Sequence, residues 1–239
     1  IITNMIRISF LVTFFYLALS NSALIYGQSS IGGNDFLGAA RPITTAVPFL
    51  TITPDARSGA MGDVGVAISP DVNSAYWNMG KLATIDKKYG IGVSYTPWLA
   101  KLVNDMSISY LTGFYKPTKE QAFSFSMKYF NLGELQITTE TGQELQKIRP
   151  KEYMFALGYS RKLSEKLGVG VAGKFIYSNL MGSLQNSNNS QSKPGISGAV
   201  DVGVYYKTDI NLGAGSNSLA LGATITDVGS KMSYSDAKN

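Results

Sequence analysis

The 239-residue chain contains no cysteine and no histidine. Without cysteine it has neither a disulfide framework nor a thiolate site. Without histidine it lacks the commonest general base, the usual metal ligand and the usual partner of a serine nucleophile. Charge is scarce as well: Asp, Glu, Lys and Arg make up 15% of the residues, against about 25% in ordinary soluble domains. The formal net charge of +5 comes from basic residues scattered singly over turns and strand ends. A nucleic-acid binder would gather them into a patch, so nucleic acid is not expected as a partner. Long apolar runs are missing too. Past the N-terminal segment no stretch approaches 18 consecutive apolar residues, which excludes a spanning helix there.

What the chain has instead is alternation. In Ala122-Phe-Ser-Phe-Ser-Met-Lys-Tyr-Phe130, the residues Phe123, Phe125, Met127 and Tyr129 share one face, and Ser124, Ser126 and Lys128 the other. Strand side chains point alternately to the two faces of a sheet. Similar runs predict strands at 89–96, 105–113, 121–130, 152–161, 167–178, 196–207 and 218–226. Each has about 8 to 12 residues, near the roughly 9–11 that cross a bilayer obliquely and longer than the roughly 5–6 of soluble strands. Connections 114–120, 162–166 and 208–217 are short; 131–151 and 179–195 are long and polar, with 97–104 intermediate. Short turns on one side and longer loops on the other mark an up-and-down outer-membrane barrel, the short turns being periplasmic. A soluble sandwich would spread long loops over both ends.

The alternation assigns Tyr153, Phe155, Leu157, Tyr159, Leu167, Val169, Val171, Phe175, Tyr177, Val200, Val202, Val204 and Tyr206 to lipid. Gly168, Gly170, Ala172, Ser197, Ala199, Gly222 and Thr224 line the lumen, with Lys128, Lys174, Asp201 and Lys207. A charge there must be wet or paired. Lys174 and Asp201 are therefore a candidate lumen ion pair, two separately hydrated side chains being the alternative. Tyr115, Tyr129 and Phe130 read as girdle residues near strand ends.

Ahead of the strands, Met5-Ile-Arg7 and the apolar run from Ile8 to Leu19 have the layout of a secretory signal peptide over residues 1–27. Cleavage is expected after Gly27, with Ala23 as second choice, and residues 1–4 read as upstream translation. Residues 28–88 form a linker and a plug of short helices and turns, with 64–68 as a short strand. Residues 89–239 then supply the first half of a barrel, since bacterial single-chain barrels have even strand numbers and seven runs are found.

Chemical motifs are weak. Leu167-Gly-Val-Gly-Val-Ala-Gly173 spells G-x-G-x-x-G, but inside an alternating strand rather than a turn opening a helix. Lumen glycines where a plug approaches the wall explain it better. Asp71-Val-Asn-Ser starts like a calcium loop, yet its sixth position is Tyr76 and its twelfth is not Glu. No catalytic residue, metal site or cofactor is expected, and the chain is not read as an enzyme. Trp98 and Leu99 in the first outward loop read as a girdle anchor or as a contact for a partner protein.

Thr53-Pro-Asp-Ala-Arg57, Gly62-Asp-Val-Gly-Val-Ala-Ile-Ser-Pro-Asp71, Tyr76-Trp-Asn-Met-Gly-Lys-Leu-Ala83 and Lys87-Lys-Tyr-Gly-Ile-Gly-Val-Ser-Tyr-Thr-Pro-Trp-Leu-Ala-Lys-Leu-Val103 together resemble the PorV family of the type IX secretion system. Met127-Lys-Tyr-Phe-Asn-Leu-Gly-Glu134 and Lys162-Leu-Ser-Glu-Lys166 extend the likeness. The resemblance implies a 14-stranded, FadL-like barrel in the outer membrane of a Gram-negative bacterium. It implies that the barrel binds the C-terminal signal domain of secreted cargo proteins. Cargo would pass from the translocon barrel to a sortase-like attachment complex. Partner contacts would then fall on the outward loops, with Trp98, Leu99, Lys101, Leu132, Glu134, Leu180 and Met181 as candidates. Asp55, Arg57, Trp77 and Asn78 are candidate plug or hatch residues. FadL-type relatives more often read Asn-Pro-Ala where this chain has Asn78-Met79-Gly80, which weakens any carry-over of a fatty-acid hatch. Transport of hydrophobic small molecules remains the alternative function.

Overall fold

The computed structural model describes residues 47–103, 105–138, 142–180, 193–211 and 216–234. The expected leader, the linker as far as residue 46 and Met181 lie outside these residues. The described chain opens with a 3-10 helix, Pro48–Thr51, then α1 (Ala56–Ala60), α2 (Ser74–Trp77) and a second 3-10 helix, Met79–Thr84. Nine strands follow: β1 (Tyr89–Pro97), β2 (Ser107–Tyr115), β3 (Gln121–Asn131), β4 (Leu135–Thr138), β5 (Glu144–Ile148), β6 (Lys151–Ser164), β7 (Leu167–Asn179), β8 (Gly195–Asn211) and β9 (Ser216–Gly229). Seven of them form one antiparallel sheet in the order β1-β2-β3-β6-β7-β8-β9, curled into a half-barrel. No described helix is long and apolar enough to cross a membrane.

The outer face of this sheet is greasy throughout. Ile91 and Val93 are 78% and 77% exposed, Leu157 69%, and Val171, Phe175, Val200 and Val202 follow the same pattern. A continuous apolar surface of this extent has no place in water; it suits the hydrocarbon band around an outer-membrane barrel. Aromatic residues mark its margins in register. Tyr89, Tyr115, Phe123 and Tyr159 lie opposite one another near the short turns. Tyr129, Tyr153 and Tyr177 do so near the loops, where the Tyr153 and Tyr177 rings stack at 4.5 Å.

Inside, the helical segment packs on the inner face of the sheet, and the wall is layered. Phe49 and Leu50 of the plug pack with Ile108, Phe130, Met154 and Ile176 toward the loops. Met79, Leu82 and Ile85 pack with Phe114, Ala122 and Ala172 toward the short turns. Between these levels the wall carries Tyr110, Thr112, Ser126, Lys128, Lys174 and Asp201, all buried. The face assignments made from alternation are those observed, with one correction. Phe130 belongs to the inner face and is buried at the upper cluster rather than standing in the girdle.

Three further expectations change. Residues 64–68 form no strand, because side chains take their carbonyls: Lys81 Nζ donates to Gly65 O at 2.6 Å and Asn78 Nδ2 to Val66 O at 3.0 Å. The polar connection 131–151 holds a hairpin, β4 against β5, with Leu135 opposite Ile148 and a bulge at Ile137/Thr138. The 208–217 connection is mostly ladder, since β8 runs to Asn211 and β9 starts at Ser216. Polar side chains do not end a strand while the backbone still finds partners.

The plug meets the wall backbone to backbone. A Cβ on Gly168 would lie 2.2 Å from Gly80 O, and one on Gly203 would lie 2.3 Å from Asn78 Oδ1. Gly173, on the opposite face of β7, has nothing within 4 Å of its Cβ position. Gly168→Ala should therefore destabilise the detergent-solubilised protein by about 1–3 kcal/mol through overpacking. Gly173→Ala should stay within about 0.5 kcal/mol. Equal unfolding midpoints for the two variants would disprove the contact.

Candidate functional site

Polar side chains of plug and wall grip plug backbone on the inner face of the sheet. Asp55 caps α1 by accepting from Ser58 N at 2.9 Å, and also accepts from Trp77 Nε1 at 2.8 Å. The Trp77 ring occupies the space beside Gly65, where any Cβ would stand 1.9 Å from the indole. Arg57 spans from α1 to the turn before α2, reaching Asp71 at 2.7 Å and Ser69 Oγ at 2.6 Å. Asn78 is the join between plug and wall. Its Nδ2 donates to Val66 O and, at 2.9 Å, to Val204 O of β8, while Oδ1 accepts from Gly80 N at 3.0 Å. The structure thus brings Asp55, Trp77 and Asn78 into one seam, with Arg57 at its exposed margin.

Lysines complete the hold. Lys128 reaches inward from β3 to the carbonyls of Leu50 and Ile52, with its ammonium 5.0 Å from the Tyr76 ring centre. Tyr76 Oη donates to Leu50 O at 2.6 Å. Burial pushes that phenol well above its ordinary range, with Asp227 adding to the effect. Lys116, just past β2, donates to Ala83 O at 2.7 Å and to Ile85 O. Lys81 is buried with Gly65 O as its acceptor; burial lowers its ammonium from 10.5 to about 8, opposed by Asp71. Among the described residues, these lysines have only carbonyl oxygens as acceptors in the seam, so each is held by dipoles rather than by a full counter-charge.

At mid-lumen Lys174 Nζ lies 2.7 Å from Asp201 Oδ2 and 2.8 Å from Asp227 Oδ1. Lys174 and Asp201 are 5% and 4% exposed, Asp227 32%. The third member comes from a bulge: between Val200 and Val202 the β8/β9 register shifts, and Asp227 takes φ +60°. The extra residue re-aims its side chain, and Asp227 N donates to Asp201 Oδ1 at 2.8 Å. Alternation alone misses Asp227, because one inserted residue reverses the parity that follows it.

At the loop end the candidates divide. Trp98 and Leu132 pack inward on the upper apolar cluster, Trp98 edge-on to Phe130 at 6.4 Å. Leu99 and Lys101 are exposed, and Leu99 sits at φ +51° where residues 102 and 103 donate back to its carbonyl. Glu134, at the foot of the β4/β5 hairpin, pairs with Lys147 at 2.6 Å and Arg149 at 2.8 Å, which holds its carboxyl below the usual range. Its N–H donates to Asp105 Oδ2 at 2.6 Å, tying the hairpin to the β1–β2 loop. Leu180 is half-buried after β7. Sequence reasoning missed Leu102, Val103 and Leu135, all exposed at this end.

A lipid-facing antiparallel wall around a plug, with elaborated loops at one end, defines an outer-membrane β-barrel protein. The family model described as type IX secretion system protein PorV matches residues 37–239, and the chain belongs to that family, a component of the secretion machinery. No curated protein matches the chain.

Two outcomes test this site. Lys174→Met leaves Asp201 buried without its cation and should cost about 3–5 kcal/mol. Asp227→Asn keeps a hydrogen-bond acceptor at a position one-third exposed and should cost no more than about 1 kcal/mol. Denaturant unfolding in detergent checks both. For Lys81, the folded pKa of about 8 lies below the unfolded 10.5, so between those values the unfolded chain binds more protons. Stability should rise with pH across that window, by on the order of 2 kcal/mol. Lys81→Met should flatten that rise; an unchanged slope would show that other groups cause it.

Proposed function

We propose that the protein captures the C-terminal signal domain of secreted cargo at its outward loops and hands it from the translocon barrel to the sortase-like attachment subunits. It works by protein–protein contact, with no chemistry at the lumen. The observation that supports this reading is the apolar surface at the loop end. Leu99, Leu102, Val103 and Leu135 are exposed there, on two segments that Asp105 joins through Glu134 N and Asn131 Nδ2. Exposed aliphatic residues on a braced support are what a protein partner can bury at little ordering cost. Lys101, Glu134, Lys147 and Arg149 surround them with charge that sets orientation. Trp98 and Leu132 act from below as supports, and Leu180 borders the neighbouring loop.

The tight seating of the plug also favours the loops over the lumen, since Gly80 and Gly168 leave no gap between seam and wall. Changing Leu99, Leu102 and Leu135 together to Ser should weaken pull-down of a cargo signal domain by roughly tenfold or more, with the unfolding midpoint unchanged. Undiminished capture would refute the loop assignment. Uptake of hydrophobic compounds that depends on the protein would favour the transporter alternative.

A further inference from the structure

Two hollows lie on either side of Tyr89 and Tyr115 at the short-turn end of β1, β2 and β3. On the lipid-facing side a groove of about 540 Å³ passes over Gly113, walled by Ile91, Leu111, Phe123, Phe125 and Leu157. Gly113 is its floor. An added Cβ there would meet only Gly90 O at 3.4 Å and Ile91 Cγ1 at 3.7 Å, so a larger side chain has room to stand up into the groove. Tyr89 and Tyr115 of the aromatic row close its lower end. One residue beyond each of them the chain becomes basic, and Lys116 N bonds to Lys88 O at 2.7 Å. There a second hollow, about 560 Å³, is lined by Lys87, Lys88, Lys116, Lys119 and Lys162, with Asp86 its single carboxylate.

The lysines of this hollow are not equivalent. Lys162 pairs with Glu165 at 3.0 Å, and Lys116 is turned to the carbonyls of Ala83 and Ile85. Lys87, Lys88 and Lys119 are exposed, with no carboxylate in salt-bridge range among the described residues. An apolar groove inside the hydrocarbon band is open only to molecules dissolved in the membrane. An unpaired basic rim directly below it, on the periplasmic side, lies at the depth of inner-leaflet headgroups. Tyrosines between the two mark the interface, and basic hollows at that depth attract anionic headgroups.

We propose that these hollows form one binding site for an anionic phospholipid of the inner leaflet, its acyl chain over Gly113 and its phosphate at the Lys88 and Lys119 ammonium groups. The site lies at the opposite end of the barrel from the cargo loops, and its occupant is a lipid rather than a protein.

The test uses the full chain in detergent micelles, titrated with phosphatidylglycerol or phosphatidylethanolamine and read by native mass spectrometry. Phosphatidylglycerol should be retained over phosphatidylethanolamine. The double variant Lys88→Gln/Lys119→Gln should cut that retention by roughly tenfold or more, since each basic side chain at an anionic lipid surface contributes about a factor of five. Gly113→Leu fills the groove, leaves every charge in place and should also weaken retention. Cargo capture should be unaffected by either change, which separates this site from the loop function. Equal retention of the two lipids, or an unaffected double variant, would overturn the proposal. So would an unaffected Gly113→Leu, because the chain and the phosphate would then not share one site. Displacement of the lipid by inorganic phosphate alone would mark a free-anion site and overturn it as well.

Discussion

The structure depends on one close approach, the passage of the Met79–Thr84 helix against β7 and β8. With Gly80 O at 2.2 Å from the Cβ position of Gly168, and Asn78 Oδ1 at 2.3 Å from that of Gly203, no side chain fits on either wall residue. Because the wall is bare there, Asn78 can bond to a strand carbonyl, and Met79 and Leu82 can reach the lower apolar cluster. The upper plug contacts, through Lys128 and Tyr76, depend on the same depth of seating. Glycine, the residue that usually weakens a strand interior, here lets the strand hold something.

Much of this was legible in the sequence, and the rest was hidden for identifiable reasons. β1, β3 and β7 begin at Tyr89, Gln121 and Leu167, as the alternation places them, because a two-residue period tied to a lipid face leaves little freedom of register. Gly168 and Gly170 of the G-x-G-x-x-G run sit on the lumen side against the plug, where the strand reading put them, while Gly173 faces outward. The β4/β5 hairpin was not legible, since outside the membrane no burial pattern betrays a short polar strand. Asp227 was hidden by the bulge, and Lys81 and Lys116 by their partners. A lysine that binds carbonyl oxygens leaves no complementary charge in the sequence to point to it.

The two faces of the wall solve opposite problems with the same alternating pattern. Outward residues are mostly large and apolar and carry no polar obligation. Inward residues are small where the plug touches, and their buried charges meet an opposite charge, a carbonyl or, for Glu152, the Ser178 hydroxyl. Lys174 illustrates the second case: two carboxylates surround one ammonium, one of them supplied by an irregularity in the ladder. Burial at that depth demands such matching. The loop end is freer, and its surface keeps aliphatic side chains in the open beside a charged hairpin.

The bond from Asn78 to Val204 spans 126 residues of chain. Contacts so distant in sequence form late, because the intervening loop must close before they repay its entropy. The contact between the first segment of the described chain and β8 is therefore complete only when that strand arrives. Until β8 is laid down, the amide of Asn78 has Val66 but not the wall. One side-chain amide thus ties the seating of the plug to a strand that follows it 126 residues later.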